Sequence, residues 1–389
     1  MTPMRIGSRE INPEFPPYVI AEIGVNHDGS ADRAVSLTHA AADAGADAVK
    51  LQLFTADALM SRAAKLAAYQ RTAGETDPLA MLRRLELSID DMAPVVRAAH
   101  ARGIHAIVSV FSVEHVAIAE RLPWEAYKTA SPDVTNRPLL DALAATGKPL
   151  IVSTGASTMD EVRRAIAWLA PIHDRLAVLH CVSSYPAAPD DANVDAMRAV
   201  MAEFRGPVGY SDHTPDLDTG ALAVGPSRSG AATILEKHLT FSRRAAGPDH
   251  AASLEPSELA EYIRLARDSR VFDRAKPDDP STPCDVRLGD GRKRVLPCER
   301  DVRRVSRQSL AATRDLPAGH VLTRADLTIK RPGTGLEPFR LHEVLGRATT
   351  RTVEADMPLT HADILGLPAV APDVVADAPA LSLIHISEP

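Results

Sequence analysis

Histidines, carboxylates, lysines and serines recur in this chain at the ends of short apolar runs. Glu22 closes "YVIAEIG", Lys50 and Gln52 lie in "DAVKLQLF", and Ser109 and Phe111 end "HAIVSVF". Lys128, Ser131 and Asp133 follow in "AYKTASPD", Ser153 in "PLIVSTG", and Ser183 and Tyr185 in "LAVLHCVSSYP". "GYSDH" supplies Ser211, Asp212 and His213, and "ILEKHLT" supplies Glu236, Lys237 and His238. Two lysines with several hydroxyls suit a phosphate plus a carboxylate, so the implied ligand is a small polyanion. Placed on neighbouring strands, His213 and His238 can converge on one ion whose other positions are filled by water and substrate oxygens. That open arrangement suits an octahedral ion such as Mn2+ better than a closed zinc site. A carboxylate inside an apolar strand is costly to bury unpaired. Glu22 is therefore read as a base, or as the group that positions a metal-bound water. Asp212 reads either as a partner orienting one imidazole or as a solvated carboxylate.

Any one such residue is more often structural than functional. Their joint placement depends on the elements that carry them. From residue 18 to about 240 eight strand-like runs alternate with stretches of helical apolar spacing, such as 32–44, 88–102 and 158–169, with Gly45, Gly103 and Gly147 where helices should stop. Eight β/α units predict a (β/α)8 TIM barrel, with an open doubly wound sheet as the alternative. In a barrel the polar strand ends share one mouth, where substrates bind. Residues 1–271 are assigned to this domain. Residues 272–304, rich in Pro, Asp and Arg, read as a linker, and 305–366, with short runs and tight turns, as a small β-rich domain. Within it "LTRADL" (322–327) returns as "LTHADI" (359–364), each after an Asp-x-Pro turn. Residues 367–380 show no periodicity and read as a disordered tail. Residues 381–389, "LSLIHISEP", match the in-frame translation of a transposon sequencing adapter and are expected to be a read artefact.

The 389 residues are 45% hydrophobic, enough for a large core, and carry a net charge of −7 with Lys and Arg scattered. That balance offers no footprint for nucleic acid or an anionic membrane. Cys181, Cys284 and Cys298 are odd in number and lack CxxC spacing, which fits a reducing compartment. With no signal-like start and no apolar run long enough to span a bilayer, a cytoplasmic protein is expected.

Nine segments in order, "IAEIGVNHDG", "DAVKLQ", "AYKTASPD", "STGAS", "LHCVSSYP", "GYSDHT", "ILEKHLT", "GPDHAASLEP" and "KRPGTGLEP", resemble the N-acetylneuraminate (sialic acid) synthase family. The resemblance implies a barrel joined to a C-terminal antifreeze-like (SAF) domain in a domain-swapped homodimer. It implies that phosphoenolpyruvate condenses with the open-chain aldehyde of N-acetylmannosamine or a related N-acylated mannosamine-type sugar, giving a nine-carbon 2-keto acid and phosphate. By the same resemblance Glu22 is the catalytic carboxylate, His213 and His238 hold the metal, and Lys50, Lys128, Ser131, Ser153 and Ser211 hold phosphoenolpyruvate. Gln52, Tyr185 and Asp249 would face the sugar, and Arg331 would reach the partner subunit's site.

Three positions depart from the family pattern. Asp133, counted with Glu22 as a catalytic candidate, stands where many relatives have Glu; Ser183 stands where some have Asn; and Ser109-Val110 replaces Thr-Pro, keeping the hydroxyl. Two insertions stand out, "GPSR" at 225–228 and about a dozen residues around 272–287. Gly and Pro inside a helix cost roughly 1 and 3 kcal/mol, so the first predicts a broken helix. N-acetylneuraminate is the leading product. Legionaminate, an eight-carbon keto-sugar acid and a non-catalytic carbohydrate-binding role are the alternatives, and "GPDH" with "SLEP" leans away from pseudaminate.

Overall fold

The computed structural model describes residues 4–225, 232–268 and 285–368. Eight parallel strands close into a barrel: β1 (Tyr18–Glu22), β2 (Ala48–Leu53), β3 (His105–Val110), β4 (Ala126–Thr129), β5 (Leu150–Ser153), β6 (Leu176–Cys181), β7 (Val208–Asp212) and β8 (Ile234–His238). Each pairs with its sequence neighbour, and β8 closes on β1 with His238 opposite Glu22. The barrel expected from the eight runs is the observed fold, and the open sheet is excluded.

Alternation along the strands explains both the core and the mouth. Val19, Val49, Leu51, Val108, Tyr127, Val152, Val178 and Tyr210 belong to the cluster shared with the surrounding helices. The intervening lower residues Ile20, Ala48, Ile107, Ala126, Ile151, Ala177 and Ile234 form a second cluster inside the barrel. One step further along the same inward rows stand Glu22, Lys50, Ser109, Lys128, Ser153 and Glu236. Beneath them the hairpin of Met4–Ile6 and Arg9–Ile11 seals the barrel, adding Met4, Ile6 and Ile11 to the inner cluster. Strands of three residues carry too little periodicity for the sequence reading to find them.

The helices expected at 32–44, 88–102 and 158–169 fall within a residue of those bounds because their caps are explicit in the sequence. Ser88 and Thr158 accept from the backbone N–H three residues on, while Asp91 and Glu161 reach back to the cap, ahead of the helices Ile89–Ala101 and Met159–Trp168. Gly45, Gly103 and Gly147 take φ of +89°, +71° and +79°, the left-handed turn that ends a helix cheaply only at glycine. The helix Thr219–Val224 stops at Gly225, as the first insertion predicts. The rest of that insertion and most of the second lie outside the described residues, as do residues 369–389.

Residues 285–304, the described part of the expected linker, are not loose. Their Pro, Asp and Arg content suggested a linker, but the charges are spent on docking. Glu299 is fully buried and accepts from the Ala156 and Ser183 N–H groups at 2.6 and 2.8 Å. Arg303 bonds Glu161 at 2.7 and 2.9 Å, and Arg307 bonds Glu161, Ala156 O, Ser157, Pro132 O and Thr135 at 3.0–3.2 Å. The small domain follows with its own core, including Leu310, Leu316, Leu322, Val344, Val353 and Leu359, and one antiparallel pair, β9 (Ser309–Ala312) with β10 (Leu327–Lys330). The sequence repeat is structural: Thr323 caps a turn through Asp326, and Thr360 caps its counterpart through Asp363.

Candidate active site

The barrel mouth holds a cavity of about 880 Å3, lined by every expected site residue except Glu22, Asp133, Asp212 and Lys237. Its floor is a charge cluster. Glu22, with no exposed surface, pairs with Lys50 and accepts from Gln52 Nε2 at 3.0 Å. Lys50 also lies 3.4 Å from Glu236 and 3.2 Å from Ser109 Oγ. Glu236 Oε1 receives Lys128 at 3.2 Å and the Ser211 hydroxyl at 2.9 Å. Glu236 thus sits between two lysines, a role the sequence reading did not give it. Strand alternation alone places Glu236 and His238 inward together, and that was the available signal.

The electrostatics divide the two carboxylates. Burial pushes the pKa of Glu236 up, but Lys128 and Lys50 outweigh it and hold the group ionised. Burial raises the Glu22 pKa, Lys50 opposes, Glu236 adds to the rise, and the balance is upward. For Lys50 burial works downward, yet the two carboxylates keep its pKa above the usual lysine value. Of the two carboxylates Glu22 is therefore the one that more readily exchanges a proton.

His213 and His238 face each other with ring centroids 5.4 Å apart. Val182 O lies 2.7 Å from His213 Nδ1 and accepts its hydrogen, which leaves Nε2 as a lone-pair donor. His238 Nδ1 is buried without a hydrogen-bond partner, 3.9 Å from Asp249 Oδ2. Burial lowers both imidazoles, His213 to about 4, so both are neutral and can ligate. Among the described residues no third His, Cys, Asp or Glu completes a closed metal site. Two neutral imidazoles, one with an orphaned ring nitrogen, fit an open-sided divalent ion. Asp212 does not orient either ring: it faces outward, 3.0 Å from Lys237 and bonded to Thr214.

Hydroxyls surround the rest of the floor. Ser153 and Ser183 Oγ are buried without partners, and Ser131 Oγ accepts from the Gly155 N–H at 3.0 Å. A Cβ on Gly155 would meet Ser183 Oγ at 2.2 Å and Ser131 Oγ at 2.8 Å, so only glycine lets the backbone join this ring of donors.

The upper wall comes from two loops and the C-terminal domain. Tyr69, in the long connection after β2, packs with a tilted ring on Tyr185, centroids 5.1 Å apart, and the Tyr185 centroid lies 4.3 Å from that of His213. Nothing in the periodicity marks Tyr69 or its neighbour Gln70. Asp249 is buried, and burial pushes its pKa up to about 7. Arg331 is anchored by its own backbone, N–H to Leu59 O at 2.8 Å and O from Ser61 N–H at 3.0 Å, with its guanidinium 5.7 Å above Phe111. It enters the mouth of its own chain's barrel, whereas the resemblance places it in the partner's. Asp133 lies behind the wall. The turn Ser131–Thr135 presents Ser131 and Pro132 to the cavity and turns Asp133 inward, where burial pushes its pKa up to about 7 against Arg331 and Arg307. It lines no part of the cavity, and both its oxygens are buried without a hydrogen-bond partner, so it is a group behind the wall rather than one that touches substrate.

A closed β/α barrel carries lysines, serines and paired histidines at its mouth and is capped by a small C-terminal module. Residues 37–274 match the NeuB family and residues 307–365 the SAF domain. The chain is 35% identical over 345 residues, 87% of its length and 92% of the relative's, to N,N'-diacetyllegionaminic acid synthase of Legionella pneumophila. It is 32% identical over 357 residues, 90% of its length and 92% of the relative's, to N-acetylneuraminate-9-phosphate synthase of Homo sapiens. The crystal structure of spore coat polysaccharide biosynthesis protein SpsE from Bacillus subtilis superposes with a TM-score of 0.79 at 26% identity, covering 93% of this chain and 99% of that one. The chain belongs to the NeuB family, the sialic-acid-type synthases.

Proposed function

We propose that the chain condenses phosphoenolpyruvate with N-acetylmannosamine or a related N-acylated mannosamine-type sugar, giving N-acetylneuraminate or a close analogue and phosphate. The observation that carries this reading is the meeting, in one cavity, of Lys50, Lys128 and the unpartnered Ser153 and Ser183 hydroxyls with the two neutral imidazoles. Lys50, Lys128 and the serines bind the phosphate and carboxylate and fix carbon 3 toward the sugar. A divalent ion held by His213 and His238, Mn2+ by preference, would supply Lewis-acid polarisation of the aldehyde oxygen. Carbon 3 attacks the aldehyde carbon, water adds at carbon 2, and phosphate leaves the resulting tetrahedral carbon with its bridging oxygen. Glu22 takes the water's proton, for which its raised pKa suits it. Gln52, Tyr185 and Asp249 line the sugar half, and Arg331 binds the N-acyl oxygen.

A second reading, N,N'-diacetyllegionaminate, is favoured by one feature. Val25, Met81, Leu82 and Leu85 give the cavity an apolar flank suited to a deoxygenated sugar carbon. Exchange of C-terminal domains between two copies also belongs to the proposal. Residues 285–368 join the barrel through 269–284, outside the described residues, and the docking surfaces serve equally within one chain or between two. Among the described residues no helix is long and apolar enough to cross a membrane, and we assign the enzyme to the cytoplasm. The test is purified protein with phosphoenolpyruvate, Mn2+ and a panel of mannosamine derivatives, scored for phosphate and for product mass. Release with one or more sugars is expected, and release with none contradicts the reading.

A further inference from the structure

A second cavity, of about 700 Å3, lies between the barrel and the C-terminal domain. Four arginines reach it, Arg300, Arg303, Arg304 and Arg307, against two carboxylates, Glu161 and Glu337. Glu161 is committed to Arg303 and Arg307. Arg304 has only an exposed pair with Asp301 at 3.1 Å, a contact of little worth, and Arg300 is exposed with no ion pair among the described residues. Arg307 supplies the second, independent sign. Its side chain is 7% exposed and its Nη atoms are bonded, yet its Nε is buried with no acceptor. A buried donor left without a partner is costly and calls for an acceptor in the space beside it.

We propose that this cavity binds a small oxyanion, a phosphate or carboxylate group, bridging the barrel and the C-terminal domain. Guanidinium forks match the planar edges of both anions, and the excess of arginine over carboxylate sets the sign of the charge admitted. The site is separate from the catalytic mouth but shares two segments with it. Ser131 and Pro132 line the mouth while Thr135 of the same turn lines this cavity; Arg331 reaches the mouth while Gly333 and Gly335 of the same loop line this cavity. A bound anion would therefore steady the docked domain and the loop that carries Arg331.

Inorganic phosphate can also enter the catalytic mouth, so calorimetric titration with phosphate is done on Lys128→Gln protein, at chloride-matched ionic strength. One phosphate per chain is expected to remain. Adding Arg300→Gln and Arg304→Gln, both surface changes that leave the Glu161 cluster intact, should weaken it by about tenfold or more, the effect of losing charge-assisted bonds. A parallel titration with acetate separates the two sources: tighter phosphate marks a phosphate site, tighter acetate a carboxylate site. No binding of either anion, or binding unchanged by the two arginine substitutions, overturns the proposal.

Discussion

Inside the barrel the same strands build two unlike regions. Low in the bore Ile20, Ala48, Ile107, Ala126 and Ile151 pack on the N-terminal hairpin. One inward step higher, Glu22, Lys50, Ser109, Lys128 and Ser153 face one another. The lower layer is stabilised by burial alone. The upper layer gathers charges and the unpartnered Ser153 hydroxyl, whose desolvation is unfavourable, and it depends on the lower layer for its geometry. Stability and chemistry are separated here by a single repeat of the strand pleat. Perturbing the upper layer should therefore change rates far more than folding.

Metal removal should have the largest effect. EDTA should abolish turnover and Mn2+ restore it, with far-ultraviolet circular dichroism unchanged because the fold rests on the lower layer. Full activity in metal-free protein would sink the His213 and His238 assignment. Next, Glu22→Gln should lower kcat by about a hundred- to ten-thousand-fold with little change in phosphoenolpyruvate affinity. A normal kcat would leave the buried carboxylate without a task.

Arg331→Ala should raise the KM for the sugar by about ten- to a hundred-fold while sparing that for phosphoenolpyruvate, as expected from losing a charge-assisted contact. Mixing this variant with Glu22→Gln tests the domain exchange. Restored activity places Arg331 in the partner's site, whereas confirmed mixed dimers without activity keep it on its own barrel. A smaller effect concerns Asp133. Its folded pKa of about 7 exceeds the unfolded value. Between about pH 4 and 7 the folded chain keeps a proton that the unfolded chain releases, so stability falls as pH rises through that window. Asp133→Asn should flatten that fall in a plot of Tm against pH, with Asp249 sustaining the remainder. An unaltered slope would show that Asp133 is not the group responsible.

Much of this was legible in the sequence because the barrel's rules are local. Alternation puts every second residue of a strand in the bore, and capping boxes at Ser88 and Thr158 fix where helices start. What escaped depends on partners distant in sequence. Glu236 gains its place from Lys50 and Lys128, and Tyr69 from Tyr185, none of which a local pattern can pair. Residues 285–304 read as linker by composition, but Glu299 and Arg303 find buried partners more than a hundred positions away. Asp212 was misplaced for the opposite reason: adjacent to His213, it points to the other face and pairs with Lys237.

In the proposed reaction water attacks carbon 2 of the condensed substrate beside Glu22, and the fate of one oxygen tests it. Phosphoenolpyruvate labelled with heavy oxygen at the bridge between carbon 2 and phosphorus should, on turnover with the accepted sugar, place the label in the released phosphate, as shown by phosphorus NMR. Label retained in the keto acid, with unlabelled phosphate, would mean attack at phosphorus and would contradict the account.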